Sequence, residues 1–289
     1  MLKKISILLL LTAITLSGIY YKTIIRLYDG YVQNKISKDR AKLYVLTNEK
    51  NLQDITQQLI ADKSIPDDLK QPLIKGERRI VIFKYPSDGN EVAGYISYIP
   101  KGKHPLMIFL RGGNKFMGIM RPNNKFSFLN GYNVVGTLYR GNIYGGKDEF
   151  GGNDVHDVEN LIRFFPQLED FTKIKLSPPF SMMGVSRGAM EMFLSLSRSN
   201  YVKTKVKYAI SVSGNVDLNI CMNTRPEMKF FFSNEFKNSH EKSLNDWVKA
   251  RDPVSHVSGL SKSLKVLMIY GLSDNRVSID EQKSFKNAL

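Results

Sequence analysis

A serine in a glycine-flanked pentapeptide is the residue of this sequence best suited to chemistry. Gly184, Ser186 and Gly188 form the pattern G-x-S-x-G, with a strand-forming apolar stretch before it and a helix-forming stretch after it. Such a sharp strand-to-helix turn exposes the serine hydroxyl, and small residues two positions away on either side let the neighbouring backbone pass closely. The pattern predicts that Ser186 is a nucleophile. The alternative is a turn that has this pattern by chance.

A serine hydroxyl needs a base to remove its proton and hydrogen-bond donors to hold the oxyanion that forms when it attacks a carbonyl group. The backbone N–H of Arg187, directly after the serine, is one predicted donor. Gly112 and Gly113 end an apolar run upstream, where a glycine-rich loop would supply the second donor. The alternative interpretation of these two glycines is an ordinary loop.

Asp274 is the predicted acid that would orient a base. It lies just after the apolar run 266–270, and the carboxyl ends of parallel strands are where the active sites of α/β proteins collect. The alternative is a turn or helix-capping aspartate. Asp217, after the run 208–213, is a weaker candidate for the same role.

The elements that must position these residues follow from hydrophobic patterning. Residues 80–83 and 92–99 flank a Ser-Asp-Gly-Asn turn and predict an antiparallel hairpin. The continuous apolar run 106–110 predicts a parallel strand buried on both faces, and 134–139 predicts the next buried strand. Two further strands are predicted over 208–213 and 266–270. Helices are predicted over 155–165, after Ser186, and over 280–289. Strands alternating with helices predict a doubly wound, mostly parallel α/β sheet.

The chain is expected to have three parts: a leader over 1–28, a small helical lead-in over 29–78, and the α/β domain over 79–289. In the lead-in, Leu52, Ile55, Leu59 and Ile60 are predicted to share one helical face. The leader has Lys3 and Lys4 before an apolar stretch over residues 5–21, as secretory signals do. A cleaved signal and an uncleaved membrane anchor both remain open, and either predicts export to the periplasm or the extracellular side.

Charge, cysteine and histidine content restrict the classes of partner and cofactor that the sequence predicts. The formal net charge is +15, from 42 Lys and Arg against 27 Asp and Glu, but the lysines are scattered, which predicts a solvated surface and no nucleic-acid partner. Cys221 is the single cysteine and the four histidines are dispersed, so we predict no disulfide within the chain, no metal site and no cofactor. The sequence does not specify an oligomeric state.

Several blocks together resemble the catalytic domain of the prolyl-oligopeptidase branch of the α/β-hydrolases. They are RGGN from Arg111, YRG from Tyr139, GGKDEFGGNDVHDVENLI from Gly145, GVSRGAM from Gly184 and GLSDNRV from Gly271. The resemblance runs from about Val92 onward and implies an exported serine hydrolase acting on peptide or ester bonds, with Ser186 as nucleophile and Asp274 as acid. The lead-in is too short for that family's β-propeller. Arg111 stands where the family often has tyrosine or histidine, so the backbone donors are the safer prediction.

A catalytic histidine is the missing part. In this fold the chain order is serine, acid, histidine, yet no histidine follows Asp274 in the 15 residues up to Leu289. His104, His156, His240 and His256 are predicted to be surface or packing residues. Without an imidazole most of the triad's rate is lost, and binding plus the oxyanion hole leave about 10³–10⁴-fold over water.

Two explanations of the missing histidine are open: a truncated chain that lacks its last strand and histidine loop, which we favour, or a degenerate enzyme. The strand over 266–270 is then expected to form an open, apolar sheet edge. The alternative functions are a non-catalytic binding protein on the same scaffold and a membrane-anchored envelope protein with an interaction role.

Overall fold

An eight-stranded mixed sheet forms the centre of the protein. The computed structural model describes residues 41–47, 51–114 and 129–289, with single positions between 28 and 49. The strands are β1 (Leu52–Asp54), β2 (Arg79–Ser87), β3 (Asn90–Tyr98), β4 (Leu106–Leu110), β5 (Asn133–Thr137), β6 (Phe180–Val185), β7 (Val206–Val212) and β8 (Lys265–Ile269). Their order across the sheet is β1-β2-β3-β5-β4-β6-β7-β8.

The sheet is antiparallel at one side and parallel elsewhere. β1, β2, β3 and β5 pair antiparallel, whereas β5, β4, β6, β7 and β8 run parallel to their neighbours. All five residues of β4 are buried, as its continuous apolar run requires of a central parallel strand. The predicted α/β fold is confirmed, and β8 forms the predicted sheet edge.

Helices cover the sheet and connect its strands. They are α1 (Thr56–Ala61), α2 (Asp67–Ile74), α3 (His156–Arg163), α4 (Phe165–Thr172), α5 (Arg187–Arg198), α6 (Asn200–Lys205), α7 (Leu218–Thr224), α8 (Pro226–Lys237), α9 (Leu244–Arg251) and α10 (Ile279–Ala288). Helix α5 follows β6 directly and is packed against α10, with the rings of Phe193 and Phe285 4.4 Å apart. Helices α7 to α9 form a separate apolar cluster around Phe232 and Trp247.

The lead-in packs on the antiparallel side of the sheet, where Ile55, Leu59 and Leu73 contact a cluster that includes Ile82. The prediction that Leu52 belongs to a helical face is wrong. Leu52 lies in β1, opposite Phe83 of β2, because pairing with an existing strand edge outweighs a short helical periodicity. Helix α1 begins only at Thr56.

The predicted leader lies outside the described residues, apart from Tyr28, so export remains a prediction. Within the part of the chain that the structure describes, no helix is both long and apolar enough to cross a membrane.

Candidate active site

Ser186 occupies the predicted turn between β6 and α5. Its backbone has φ 53° and ψ −120°, a strained conformation for a residue with a side chain. The Ser186 N–H donates to the Val212 carbonyl at 2.9 Å, and the Ser186 carbonyl accepts from the N–H groups of Ala189 at 3.0 Å and Asn215 at 3.2 Å. The turn is therefore held by β7 and by its own helix.

The two glycines of the pentapeptide are required by contacts with backbone atoms. A Cβ on Gly184 would lie 2.4 Å from the Ala189 nitrogen, and a Cβ on Gly188 would lie 1.9 Å from the Leu110 carbonyl oxygen. Neither position has room for a methyl group. The second contact also presses the start of α5 against the end of β4, where the glycine loop begins.

The glycine loop passes directly beside Ser186. A Cβ on Gly112 would lie 3.2 Å from the Ser186 Cβ and 2.8 Å from the Val185 carbonyl oxygen. Gly113 adopts a φ of 77°, which favours glycine. The structure thus brings the predicted loop and the predicted nucleophile together.

Arg111 turns its side chain into the protein. Its guanidinium donates to the Gly112 carbonyl at 3.1 Å and to the Leu138 carbonyl at 2.8 Å, and the residue is 1% exposed. Burial, followed by the charge of Arg187, lowers the pKa of Arg111 to about 10. The side chain thus braces the glycine loop from within, consistent with backbone groups being the donors at this site.

Arg187, whose backbone N–H is the other predicted oxyanion donor, has a fully buried side chain. Its guanidinium pairs with Asp148 at 2.7 Å, Asp154 at 2.5 Å and Glu191 at 3.0 Å. Burial alone would lower the pKa of Arg187, but the charges of these carboxylates raise it well above its ordinary value. Burial, followed by the charge of Asp154, raises the pKa of Glu191 well above its ordinary value.

Asp274 follows the parallel strand next to β7. Its carboxylate accepts from the N–H groups of Arg276 at 2.8 Å and Val277 at 3.1 Å and interacts with the Ser213 hydroxyl. Burial would raise the pKa of Asp274, but these hydrogen bonds lower it below its ordinary value. Ser186, Ser213 and Asp274 therefore follow three adjacent parallel strand ends, β6, β7 and β8.

The weaker candidate, Asp217, has a structural task. It is the N-cap of α7, accepting from the Ile220 N–H at 3.0 Å and from the Ser284 hydroxyl at 2.6 Å. Both of its carboxylate oxygens are therefore used to join α7 to α10.

His104 lies at the opposite end of the strands, and His156 begins helix α3 and contacts the β2–β3 hairpin. His104 contacts the carbonyl oxygens of Lys101 and Gly131, in the loops before β4 and β5. At about 3.3 Å per residue, β4 alone separates that edge from the site by about 16 Å. His156 contacts Asp88 at 2.8 Å in the β2–β3 turn.

The other two histidines lie near the far end of α5. His256 contacts the Lys249 carbonyl at 3.1 Å, and its pKa is lowered by burial and by the charge of Arg198. His240 lines a cavity of about 520 Å³ together with Arg198 and Arg251. Arg198 is the last residue of α5, about 18 Å along the helix from its start. The residues that surround each of the four histidines are therefore different from those that surround Ser186.

The carboxylates around Arg187 are residues that sequence reasoning missed. Glu191 lies four positions after Arg187 on α5, a spacing that indicates an ion pair. Asp148 and Asp154 belong to the acidic block before α3. Nothing local in the sequence indicates that this block folds back onto the elbow, the β6–α5 turn that carries Ser186.

Comparison with known proteins agrees with this geometry. The chain is 26% identical over 205 residues to the uncharacterized peptidase YtmA of Bacillus subtilis (strain 168), a match that covers 70% of this chain and 76% of YtmA. No protein-family model matches the sequence.

Solved structures show the same fold. The acylaminoacyl peptidase of Pyrococcus horikoshii matches with a TM-score of 0.57 at 21% identity over 72% of this chain. A Pyrococcus furiosus esterase matches with a TM-score of 0.53 at 17% identity, over 75% of this chain and 80% of the esterase. The chain spans only 34% of the length of the acylaminoacyl peptidase.

The sheet order and these likenesses show that the chain has the α/β-hydrolase fold. Within that class it resembles prolyl-oligopeptidase-type peptidases and related esterases, which confirms the resemblance predicted from its motifs.

Proposed function

We propose that this protein is a serine hydrolase of peptide or ester bonds by descent. Ser186 is the nucleophile, Asp274 is the acid, and the backbone N–H groups of Arg187 and of the Gly112–Gly113 loop are the oxyanion donors. The observation that carries the proposal is the Ser186 conformation, φ 53° and ψ −120°, with the Gly112 backbone packed beside its Cβ. In this chemistry the serine oxygen attacks a carbonyl carbon and the carbonyl oxygen takes up the negative charge.

The rate of such a reaction depends on a base that removes the proton of the serine hydroxyl, because the hydroxyl itself is a weak nucleophile. Three of the histidines contact other groups and His240 lines a cavity beside Arg198, so we propose that this chain is inactive or slow, with a residual rate of about 10³–10⁴-fold over water from binding and oxyanion stabilisation. A non-catalytic binding protein on the same scaffold is the second candidate, and the surroundings of the four histidines are the observation that favours it.

A fluorophosphonate probe distinguishes the two candidates, because it phosphonylates a serine only when the hydroxyl is activated. The hydrolase predicts slow labelling of the full chain that Ser186→Ala abolishes. Ser181→Ala, at the opposite end of β6, is the matched control and should label like the wild type. Folded protein that does not label at any pH between 6 and 9 would refute hydrolase activity in this chain and favour the binding protein.

A further inference from the structure

Four buried side chains form a stack behind the elbow. The guanidinium carbons of Arg111 and Arg187 lie 5.0 and 4.9 Å from the centroid of the Tyr139 ring. Arg187 also lies 4.6 Å from the ring centroid of Phe150. All four residues are at most 4% exposed. Cation–π contacts of this kind are worth more when the cation is removed from water.

The two arginines of this stack belong to the two backbone segments that flank Ser186. Arg187 opens α5 and carries the N–H after the nucleophile, whereas Arg111 opens the glycine loop. Arg111 donates to the Gly112 carbonyl, and the Tyr139 hydroxyl donates to the Arg111 carbonyl at 3.3 Å. The side chains of the stack thus connect two segments that are 76 residues apart in sequence (187 − 111 = 76).

Two guanidinium groups facing one ring repel each other, so the arrangement needs negative charge nearby. The carboxylates of Asp148, Asp154 and Glu191 supply it, and all three form ion pairs with Arg187. Asp148 binds Arg187 through two oxygens, with distances of 2.7 and 3.0 Å, a geometry that fixes the guanidinium plane. Arg187 is therefore held in one orientation, and the ring and Arg111 are aligned to it.

We propose that Arg187, Tyr139 and Arg111 are positioning residues, and that their stack sets the separation between the two backbone segments that would bind an oxyanion. The catalytic consequence rests on the proposed function. The coupling between the segments does not, because it is a property of the folded chain. Loss of a well-placed oxyanion donor costs about 10²–10³ in rate, so a loosened loop lowers reactivity without removing any catalytic residue.

Amide hydrogen exchange of residues 112–114 tests the coupling without any need for activity. Tyr139→Leu removes the ring, and we expect exchange at these amides to become about tenfold faster, since local opening controls it. Tyr139→Phe keeps the ring and loses only a long hydrogen bond, so exchange should stay near that of the wild type. Tyr98→Leu makes the same change at a different buried tyrosine, which lies on β3, and is the control for general destabilisation. Equal exchange in Tyr139→Leu and Tyr98→Leu would overturn the proposal.

Arg111→Lys provides a second test if Tyr139→Leu does not fold. Lysine keeps the positive charge but has no planar group to stack, so exchange at 112–114 should again rise about tenfold. Its control is Arg78→Lys, the same substitution at an arginine that donates to the Asn130 carbonyl at 2.7 Å, away from the site. Unchanged exchange in Arg111→Lys would contradict the proposal.

Labelling by the fluorophosphonate separates this inference from the proposed function. Where the wild type labels, Tyr139→Leu should lower the rate of covalent reaction about tenfold or more with unchanged affinity for the probe, and Tyr139→Phe should restore it. A fall in affinity alone would contradict positioning. Where the wild type does not label, hydrolase activity in this chain is refuted, and hydrogen exchange still decides whether the stack couples the two segments.

Discussion

Gly188 faces the carbonyl oxygen of Leu110 so closely that a Cβ at this position would lie 1.9 Å from it. This single contact connects the pentapeptide to the glycine loop, because Leu110 ends β4 and Gly112 lies beside Ser186. The strain in Ser186 therefore persists because backbone atoms on both sides leave no alternative. At the scale of residues, the glycines let backbone segments pack closely around Ser186, and this packing fixes the conformation that exposes its hydroxyl.

Gly188→Ala is expected to destabilise the protein by about 1–3 kcal/mol or more, because the added methyl group meets backbone that cannot rotate away. Gly145→Ala is the matched control: a Cβ there meets nothing within 4 Å, and the expected change is within about 0.5 kcal/mol. Urea unfolding of both variants measures the difference. Equal stability of the two variants would contradict the packing described here.

Helix α10 has a capped first turn and packs against the helix that follows Ser186. Ser278 and Glu281 form a capping box, and Phe285 packs against Phe193 of the nucleophile helix α5. Glu281 is completely buried, and this burial raises its pKa from 4.5 to about 8. The charges that face it are those of Arg225, which lowers the pKa, and Asp217, which raises it.

This raised pKa predicts a pH-dependent stability. The folded protein binds the Glu281 proton more tightly than the unfolded chain does, so the stabilisation is complete below about pH 4.5 and is lost as the pH rises through about 8. The melting temperature of the wild type should fall between pH 6 and 9 relative to that of Glu281→Gln. The exposed neighbour provides the control variant, Asp280→Asn, which should keep the wild-type slope. A Glu281→Gln profile parallel to that of the wild type would show that Glu281 does not hold its proton.

At the scale of the whole molecule, exposed apolar side chains lie at one edge of the sheet in a protein with a high positive net charge. β8 forms one edge of the sheet, and its Leu267 and Ile269 are 53% and 47% exposed, next to an exposed Tyr208 on β7. This confirms the predicted apolar edge. An open strand with exposed apolar side chains favours pairing with other chains, whereas a net charge of +15 opposes it.

Leu267→Lys should therefore reduce self-association, because it places a charge in the middle of the open edge strand. Light scattering at increasing salt concentration, which screens the net charge, measures the effect. Phe171→Lys is the control, since Phe171 is 42% exposed on α4 and does not belong to the edge. Association that is equally low in both variants would assign the effect to charge in general instead of to the β8 edge.

The buried strands and the elbow could be predicted from sequence because their determinants are local. β4 appears as five consecutive apolar residues, and Ser186 appears as a serine between two glycines after such a run. β1 could not be predicted, because three residues gain their structure only by pairing with β2. The bounds of helices α7 to α9 could not be predicted, because these helices pack mainly on each other around Trp247, a contact that has no periodic sequence pattern.

The sequence by itself determined that a serine lies on a strained strand-to-helix turn within an α/β sheet, because glycine pattern and apolar runs are properties of neighbouring residues. Only the tertiary structure decided what surrounds that turn. Tyr139, Asp148 and Asp154 reach Arg187 from distant parts of the chain. Three histidines contact other groups, and His240 lines a cavity beside Arg198. Such contacts depend on how the layers pack, and spacing along a chain does not encode which buried charges meet.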